Sequence, residues 1–166
     1  MTETTDRLAL PLLIAGQAQK EIWHNEALML VDALVQASVM AVAPATVPTA
    51  PALGACWIVG PSPMGLWIGK AQHLACWTSG GWRFMPPRDG MSCWSVADSL
   101  TVRYTGGVWV KGVESALSFK IGGQQVVGAR SAAILNVTGG ATVDAEARFA
   151  INTILAALRY HGLISP

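Results

Sequence analysis

Two short segments, WTSGGW at residues 77–82 and YTGGVW at residues 104–109, each place two aromatic side chains five residues apart around a Gly-Gly pair. Glycine adopts the positive φ that the favoured two-residue hairpin turns require. An extended aromatic segment, a two-glycine reversal and a second aromatic segment therefore predict a β-hairpin at each position.

Both hairpins lie in residues 53–112, which we call the β-module. It holds six of the seven tryptophans, and three of them follow a cysteine, at Cys56-Trp57, Cys76-Trp77 and Cys93-Trp94. Consecutive residues of a strand point to opposite faces, so both faces need covering unless one tryptophan of each pair is exposed. Regular turn signals predict an antiparallel sandwich or a barrel-like meander. The predicted strands are residues 54–59, 65–69, 73–77, 81–85, 91–96, 101–104 and 108–111.

The predicted fold class is α+β, with one helix on each side of the β-module. Residues 1–40 are expected to form an N-terminal helical docking segment. Residues 41–52 contain three prolines and predict an extended linker. Residues 113–166 are expected to combine a β-arm with a C-terminal helix.

The N-terminal helix is predicted over residues 25–40, after one or two helical turns at residues 17–23. Asn25 is the expected N-cap, because its side chain can accept a hydrogen bond from the first turn. The apolar positions recur at helical spacing and form a candidate docking face. They are Leu28, Val31, Leu34 and Val35.

The C-terminal helix is predicted to begin at Thr142, with acidic residues in its first turn and Gly162 at its end. Four apolar residues step by four, three and four positions, which is an a/d seam of under two heptads. They are Ala147, Ile151, Ile154 and Leu158. This seam either contributes to a coiled coil or packs on its own domain.

The composition is unusually poor in charge. Hydrophobic residues make up 52% and charged residues 13%, and the net charge is +1. A chain without a clustered basic stripe is not expected to bind nucleic acid. No uninterrupted apolar run is long enough for a membrane span, and Glu3 and Asp6 argue against a signal peptide. Because charge is depleted at obligate interfaces, we expect a permanent homo-oligomer, with a well-packed monomer as the alternative.

The three cysteines cannot all pair within one chain. Each lies in a strand-like segment, where cysteine usually behaves as a small buried hydrophobe. We therefore expect reduced thiols in a protein made in a cytoplasm. His73 and Cys76 have a ligand-like spacing but lack the further ligands that zinc needs, so no metal and no cofactor is expected.

No catalytic motif is present, and the sequence predicts a protein that is not an enzyme. The β-module has two carboxylates, Asp89 and Asp98, and a polysaccharide hydrolase using them is the least favoured hypothesis. The tryptophans permit another function, since exposed aromatic rings can stack on sugars, although core or interface packing is their usual role. These candidate glycan or interface residues are Trp57, Trp67, Trp77, Trp82, Trp94 and Trp109.

An ordered set of motifs runs along the chain. They are GQAQKE at residues 16–21, HNEAL at 24–28, DALVQ at 32–36, CWIVG at 56–60 and WTSGGWRF at 77–84. In this set, over roughly residues 8–112, the chain resembles an uncharacterised domain family of alphaproteobacterial prophages and gene transfer agents. The C-terminal segment, from GGATVDAEAR at 139–148 to HGLI at 161–164, looks like an ending shared by several phage structural proteins.

The resemblance implies a virion structural role such as that of a head-spike base, which sits on the capsid and carries a fibre that binds host surface polysaccharide. The implied partners are further copies of the chain, capsid and spike-fibre proteins, and host capsular polysaccharide. A five-fold particle vertex would favour a pentamer and a fibre a trimer. A carbohydrate-binding module and a tail-fibre or baseplate component are the alternatives.

Overall fold

The computed structural model describes residues 4–14, 16, 20–142 and 144–166. The chain divides into two compact units, the N-terminal unit (Met1–Val113) and the C-terminal unit (Glu114–Pro166). The predicted α+β class is confirmed, because two helices, α1 (Lys20–Leu34) and α2 (Ala145–Tyr160), flank a multi-stranded region. Within the described residues, neither helix has the length and apolar character of a membrane span.

The N-terminal unit contains two sheets. Their strands are β1 (Ser38–Val39), β2 (Cys56–Ile58), β3 (Leu74–Thr78), β4 (Gly81–Met85), β5 (Ser92–Ser95), β6 (Leu100–Thr105) and β7 (Val108–Lys111). One sheet has four strands in the order β1-β5-β6-β7 and the other has three in the order β2-β3-β4. All neighbouring strands are antiparallel except β1 and β5, which are parallel.

Both Gly-Gly hairpins of the β-module are confirmed. Trp77 pairs with Trp82 across β3 and β4, and Tyr104 pairs with Trp109 across β6 and β7. At the second turn Gly106 and Gly107 have φ values of 57° and 86°. Two consecutive positive φ values match the twist of the flanking strands in a two-residue turn, which explains the glycine pair.

The main core of the N-terminal unit contains residues of both sheets and of α1. Ala33 of α1 and the neighbouring Leu30 pack there against strand residues. The cysteine of each Cys-Trp pair is buried in this core, while the tryptophan points to the opposite face of its strand. The buried members are Ala33, Ala37, Val39, Cys56, Ile58, Leu74, Cys76, Met85, Cys93 and Val102.

A second, aromatic cluster covers the other face of the three-stranded sheet. Trp67 is fully buried there and packs with Ala75 and Val59. It lies in a 3₁₀ turn (Gly65–Trp67), so the strand predicted over residues 65–69 is wrong. Gly65 has a φ of 61°, which is incompatible with a continuous strand and lets the chain turn its indole inward.

Helix α1 begins at Lys20, and the prediction of a helix over residues 25–40 is wrong at both ends. Asn25 lies inside the helix and is not its N-cap. Its side chain instead bonds the backbone of Leu13, accepting from the amide at 2.9 Å and donating to the carbonyl at 3.0 Å. Gln36, with a φ of 47°, lies just past the C-terminal end of α1. The turns predicted over residues 17–23 fall partly outside the described residues.

The segment before α1 is fixed by the buried carboxylate of Asp32. This carboxylate accepts hydrogen bonds from the Thr5 hydroxyl at 2.8 Å and from the amides of Arg7 and Leu8 at 2.9 and 2.7 Å. The Arg7 guanidinium donates to carbonyl groups at the C-terminal end of α1, including that of Ala33. Three donors satisfy the buried carboxylate, and they hold the N-terminal segment against the helix.

Residues 41–52, predicted as a linker, run beside β2 at their start. Val42 forms a parallel bridge with Ile58, and the Ala43 amide donates to the Ile58 carbonyl at 2.8 Å. Further along, the Gly60 amide donates to the Pro44 carbonyl at 3.0 Å. Hydrogen bonds therefore tie this proline-containing segment to the β-module.

The C-terminal unit consists of a hairpin, an extended segment and α2. Strands β8 (Phe119–Ile121) and β9 (Gln124–Val127) pair around Gly122 and Gly123, and every residue of both strands is exposed. Helix α2 is N-capped by Asp144, whose carboxylate accepts from the Ala147 amide at 2.8 Å. The buried apolar residues described in this unit are Leu155 and Ile164.

Candidate interaction surfaces

The six candidate tryptophans occupy three different environments. Trp67 is fully buried, whereas Trp94 is 48% exposed. Trp57, Trp77, Trp82 and Trp109 are half-buried. The structure therefore does not gather the six rings into one surface.

Trp82 is the centre of the aromatic cluster. Its ring centroid lies 5.2 Å from that of Trp67, 5.1 Å from that of Trp77 and 5.7 Å from that of Trp57, in tilted or edge-to-face arrangements. Such geometries add roughly 0.5–1.5 kcal/mol per pair to the burial of the rings. Trp109 is fixed differently, because its indole N–H donates to the Gln72 carbonyl at 2.8 Å. These contacts give both tryptophans a packing role.

Trp94 lies on the outer face of the four-stranded sheet. The strand register places Thr101 directly opposite it and Arg103 opposite Ser92, so these side chains share one face with the indole. A half-exposed flat ring beside hydroxyl and guanidinium groups combines a stacking surface with hydrogen-bonding groups. Sugar rings are bound by this combination, and Trp94 is the candidate tryptophan whose placement suits it best.

The predicted docking face of α1 lies largely outside the core. Val31, Leu34 and Val35 are 44%, 43% and 46% exposed, and Leu28 is half-buried. The helix turns a different side inward, through Leu30 and Ala33. The four predicted positions thus remain accessible.

A largely apolar groove lies beside α1 and has a volume of about 520 Å³. Leu34 lines this groove and also belongs to the exposed apolar face of α1. Arg88 supplies its positive charge. The lining residues are Leu30, Leu34, Met85, Pro86, Arg88, Met91 and Ser92.

The a/d seam of α2 is exposed as well. Ala147, Ile151 and Ile154 are exposed, with Ile154 at 60%, and Leu158 is half-buried. Leu155, the buried residue of the helix, lies beside the seam, about one helical turn from Ile151 and from Leu158. The sequence left two roles open for the seam, a coiled coil or packing on its own domain. Packing on its own domain accounts for the burial of Leu155, but it does not cover the exposed seam residues.

The expectation of three reduced thiols is wrong, because Cys56 and Cys76 form a disulfide bond. The two residues are directly opposite each other on β2 and β3, a pairing that only the strand register reveals. Cys93 is free and buried, and burial raises the pKa of its thiol to about 11. In the part of the chain that is described, no group of three or more potential metal ligands comes together.

The two carboxylates of the β-module have separate environments. Asp98 accepts hydrogen bonds from the Lys111 ammonium at 2.8 Å and the Ser95 hydroxyl at 2.6 Å. The Lys111 hydrogen bond, followed by that of Ser95, holds the pKa of Asp98 below its ordinary value. Asp89 is exposed in the turn before β5. A glycosidase acid needs a raised pKa, and Asp98 has the opposite shift.

Sequence reasoning missed two features of these surfaces. Trp23 is 80% exposed on α1 and lies outside the β-module that supplied the candidate tryptophans. Its position directly before the HNEAL motif at residues 24–28 is the signal that could have found it. The groove, lined by Met85 and Met91 among others, depends on contacts distant in sequence and leaves no periodic signal.

Residues 24–110 match the model of a family described as protein of unknown function (DUF2793), which is more than half of the chain. The chain belongs to this family. The matched region contains most of α1 and both sheets of the N-terminal unit except the last residue of β7. No curated protein matches the sequence.

Proposed function

We propose that the protein is a non-enzymatic structural component of a phage-like particle, a head-spike base or a similar attachment protein. It assembles as a homo-oligomer and anchors a fibre or receptor-binding protein. Its partners are copies of itself, the capsid and the spike fibre.

The observation that carries the proposal is the amount of apolar side chain that the chain leaves uncovered on its helices. On α1 the exposed set includes Trp23 and Ile22, at 80% and 60%. On α2 it includes Phe149 and Ile154, at 76% and 60%. Large apolar side chains left exposed on both helices are typical of surfaces that other proteins cover, so they favour a building block over a free monomer.

The roles of the motif residues also support the proposal. Asn25 and Asp32 fix the segment before α1, and Trp77 and Trp82 pair across a hairpin. These residues, which carry the resemblance to phage-encoded proteins, stabilise a scaffold. Hydrogen bonding and packing roles of this kind are those of a structural component.

The disulfide bond between Cys56 and Cys76 indicates in which environment the protein takes its final form. Thiols are kept reduced in a bacterial cytoplasm, where the chain is made. We therefore expect the Cys56–Cys76 bond to close when the particle leaves the cell, and the mature protein to reside on the released particle.

The test is co-purification with particles. Particles from cells that encode the protein are separated on a density gradient and probed by mass spectrometry and immunogold electron microscopy. We expect the protein in the DNA-filled fraction, with gold at the head vertices, and we expect deletion of its gene to give particles that lack a surface fibre. Absence of the protein from the particle fraction would overturn the proposal. Gold label on the tail would instead indicate that the protein is a tail-fibre or baseplate component and not a head-spike base.

A carbohydrate-binding module is the second candidate, and the placement of Trp94 beside Thr101 and Arg103 favours it. This function is tested by titrating the protein with capsular polysaccharide while tryptophan fluorescence is monitored. We expect Trp94→Ala to abolish binding, while Trp23→Ala, which also removes an exposed indole, leaves it unchanged. Equal losses in both variants, or no binding by the wild-type chain, would reject it.

A further inference from the structure

We propose that the C-terminal unit is an assembly arm whose missing core is supplied by the same unit of other copies. In this arrangement α2 joins a parallel bundle of at least three helices through its a/d seam. The inference rests on the proposed function, because it names which surface makes the homo-oligomer and what covers it.

Most of the large apolar residues described in the C-terminal unit are exposed. Thirteen large hydrophobic side chains among its described residues are exposed, whereas Leu155 and Ile164 are buried. The exposed set includes Leu117 at 100% and Leu135 at 85%. A two-stranded hairpin and one helix with so little burial are not expected to be stable in water without a partner.

Polar contacts hold α2 to the preceding segment. The Asn152 side chain accepts from the Val137 amide at 3.1 Å, and the Arg159 guanidinium donates to Asn136 at 2.8 Å. Arg148 donates to the Gly139 carbonyl. These residues share the side of the helix that buries Leu155. Beside this side runs an apolar stripe of Ala147, Ala150, Ile151, Ile154, Ala157 and Leu158, all exposed except the half-buried Leu158.

The spacing of this stripe identifies further copies of α2 as its occupant. Ile151 and Leu158 take a positions, and Ala147 and Ile154 take d positions, so the stripe repeats the seam of a coiled coil. Isoleucine at both a and d, or leucine at a with isoleucine at d, disfavours the dimer and favours bundles of three or more helices. The flanking Ala150 and Ala157 are small and uncharged, which allows close approach without repulsion. Cyclic symmetry among three or more copies keeps the helices parallel.

A seam of under two heptads is too short to hold a bundle by itself, and the β8–β9 hairpin extends the interface. Phe119, Ile121 and Val126 of the hairpin are 60%, 63% and 52% exposed. Its outer strand edges also lack partners among the described strands. Neighbouring hairpins can therefore cover one another beside the helical bundle.

The exposed area agrees with an interface of this size. The chain exposes 11053 Å². Two separate compact bodies of about 12 and 5.5 kDa, the sizes of the two units, would together expose roughly 9,400 Å². The excess of roughly 1,700 Å² per chain is about twice the roughly 800 Å² that each partner buries in a standard interface, which suits a chain that contacts two neighbours in a ring.

The test measures the mass of the full chain by native mass spectrometry and light scattering. The double variant Ile151→Asp/Ile154→Asp places charges in the seam. Its matched control, Phe149→Asp/Tyr160→Asp, replaces two residues of the same helix that are 76% and 88% exposed but lie off the seam. We expect at least three chains for the wild type and the control, and a monomer for the seam variant. Since every tryptophan lies in the N-terminal unit, unchanged indole emission verifies that this unit stays folded.

Three results would overturn the inference in different ways. If the seam variant stays assembled while Val31→Asp/Val35→Asp on α1 dissociates, the arm is not the interface, but the proposed particle component still stands. If the wild-type chain is a monomer or a dimer that binds purified particles through its C-terminal unit, the bundle is wrong and another virion protein covers the seam. A monomer absent from particles removes the proposed function as well.

Discussion

The N-terminal unit buries thirteen of its described apolar side chains, whereas the C-terminal unit buries two. Both units are rich in apolar residues, and both contain a Gly-Gly hairpin and an α-helix. The N-terminal unit stacks two sheets and a helix so that one core serves all three. Among its described residues the C-terminal unit has no second layer, and hydrogen bonds hold its helix to an extended segment. The difference shows that the N-terminal unit has a core of its own, and it supports the proposal that partners cover the C-terminal unit.

The difference in apolar burial between the two units predicts its largest effect on stability for Trp67→Ala. Trp67 is fully buried among aromatic rings, so its loss should lower the free energy of unfolding of the N-terminal unit by about 3–5 kcal/mol. Leu117→Ala in the C-terminal unit, at a residue that is 100% exposed, should change it by less than about 0.5 kcal/mol. Urea denaturation followed by far-UV circular dichroism measures both. Equal losses of unfolding free energy in the two variants would contradict the assignment of the core to the N-terminal unit.

Removing the disulfide bond should have the next largest effect. The bond closes a loop with a sequence separation of 20, so the variant Cys56→Ala/Cys76→Ala should lose about 3 kcal/mol through the greater entropy of its unfolded chain. Thermal unfolding with and without reductant tests this. The wild type and Cys93→Ala should be destabilised by reductant, and the double variant should not respond. A reductant effect that depends on Cys93 would contradict the pairing.

The local signals of the sequence predicted the hairpins of the N-terminal unit well. The Gly-Gly pair marked the position of both hairpins: Gly106 and Gly107 form the second turn, whereas the first turn is Ser79-Gly80 and Gly81 begins β4. The alternation of Cys and Trp placed the two residues of each pair on opposite faces. The disulfide and the burial of Trp67 could not be predicted in this way. Both depend on register and packing between residues distant in sequence, and neither leaves a periodic signal.

The candidate surfaces were predictable only in part. Helical periodicity located apolar positions such as Val31 and Ile154, but it does not say which side of a helix is covered. In α1 the side with Leu30 and Ala33 turns inward, and the predicted face stays outside. Asn25 was predicted as an N-cap from residue type alone. Its contact with Leu13 depends on the path of the preceding segment.

A smaller effect is expected from the cap of α2. The Asp144 carboxylate accepts from the Ala147 amide, and Asp144→Ala should destabilise the helix by about 1 kcal/mol, while Asp144→Asn retains an acceptor and should lose less. Far-UV circular dichroism across a dilution series measures the helix. If partners stabilise the C-terminal unit, the Asp144→Ala loss of helix should grow on dilution. A loss independent of concentration would indicate that the unit is stable alone.

The smallest effect concerns the ion pair of Asp98 and Lys111, at 2.8 Å. The Lys111 hydrogen bond is the main cause that holds the pKa of Asp98 below its ordinary value of 3.8. A carboxylate with a depressed folded pKa contributes stability above its unfolded pKa, and that contribution is lost as the pH falls through the folded value. We therefore expect a slight loss of stability of the N-terminal unit below about pH 4.

Lys111→Met should raise the pKa of Asp98 towards 3.8, while Lys120→Met, which removes a lysine from the C-terminal unit, should leave it unchanged. Carboxyl titration by NMR separates the two, and an unchanged pKa in Lys111→Met would show that the lysine is not the cause. An exposed ion pair of this kind adds little to a unit that already has a core. In the C-terminal unit, by contrast, polar contacts such as those of Arg159 and Asn152 are most of what holds the helix in place. The same kind of interaction therefore has a small role in one unit and a large one in the other, because only the first has an apolar core of its own.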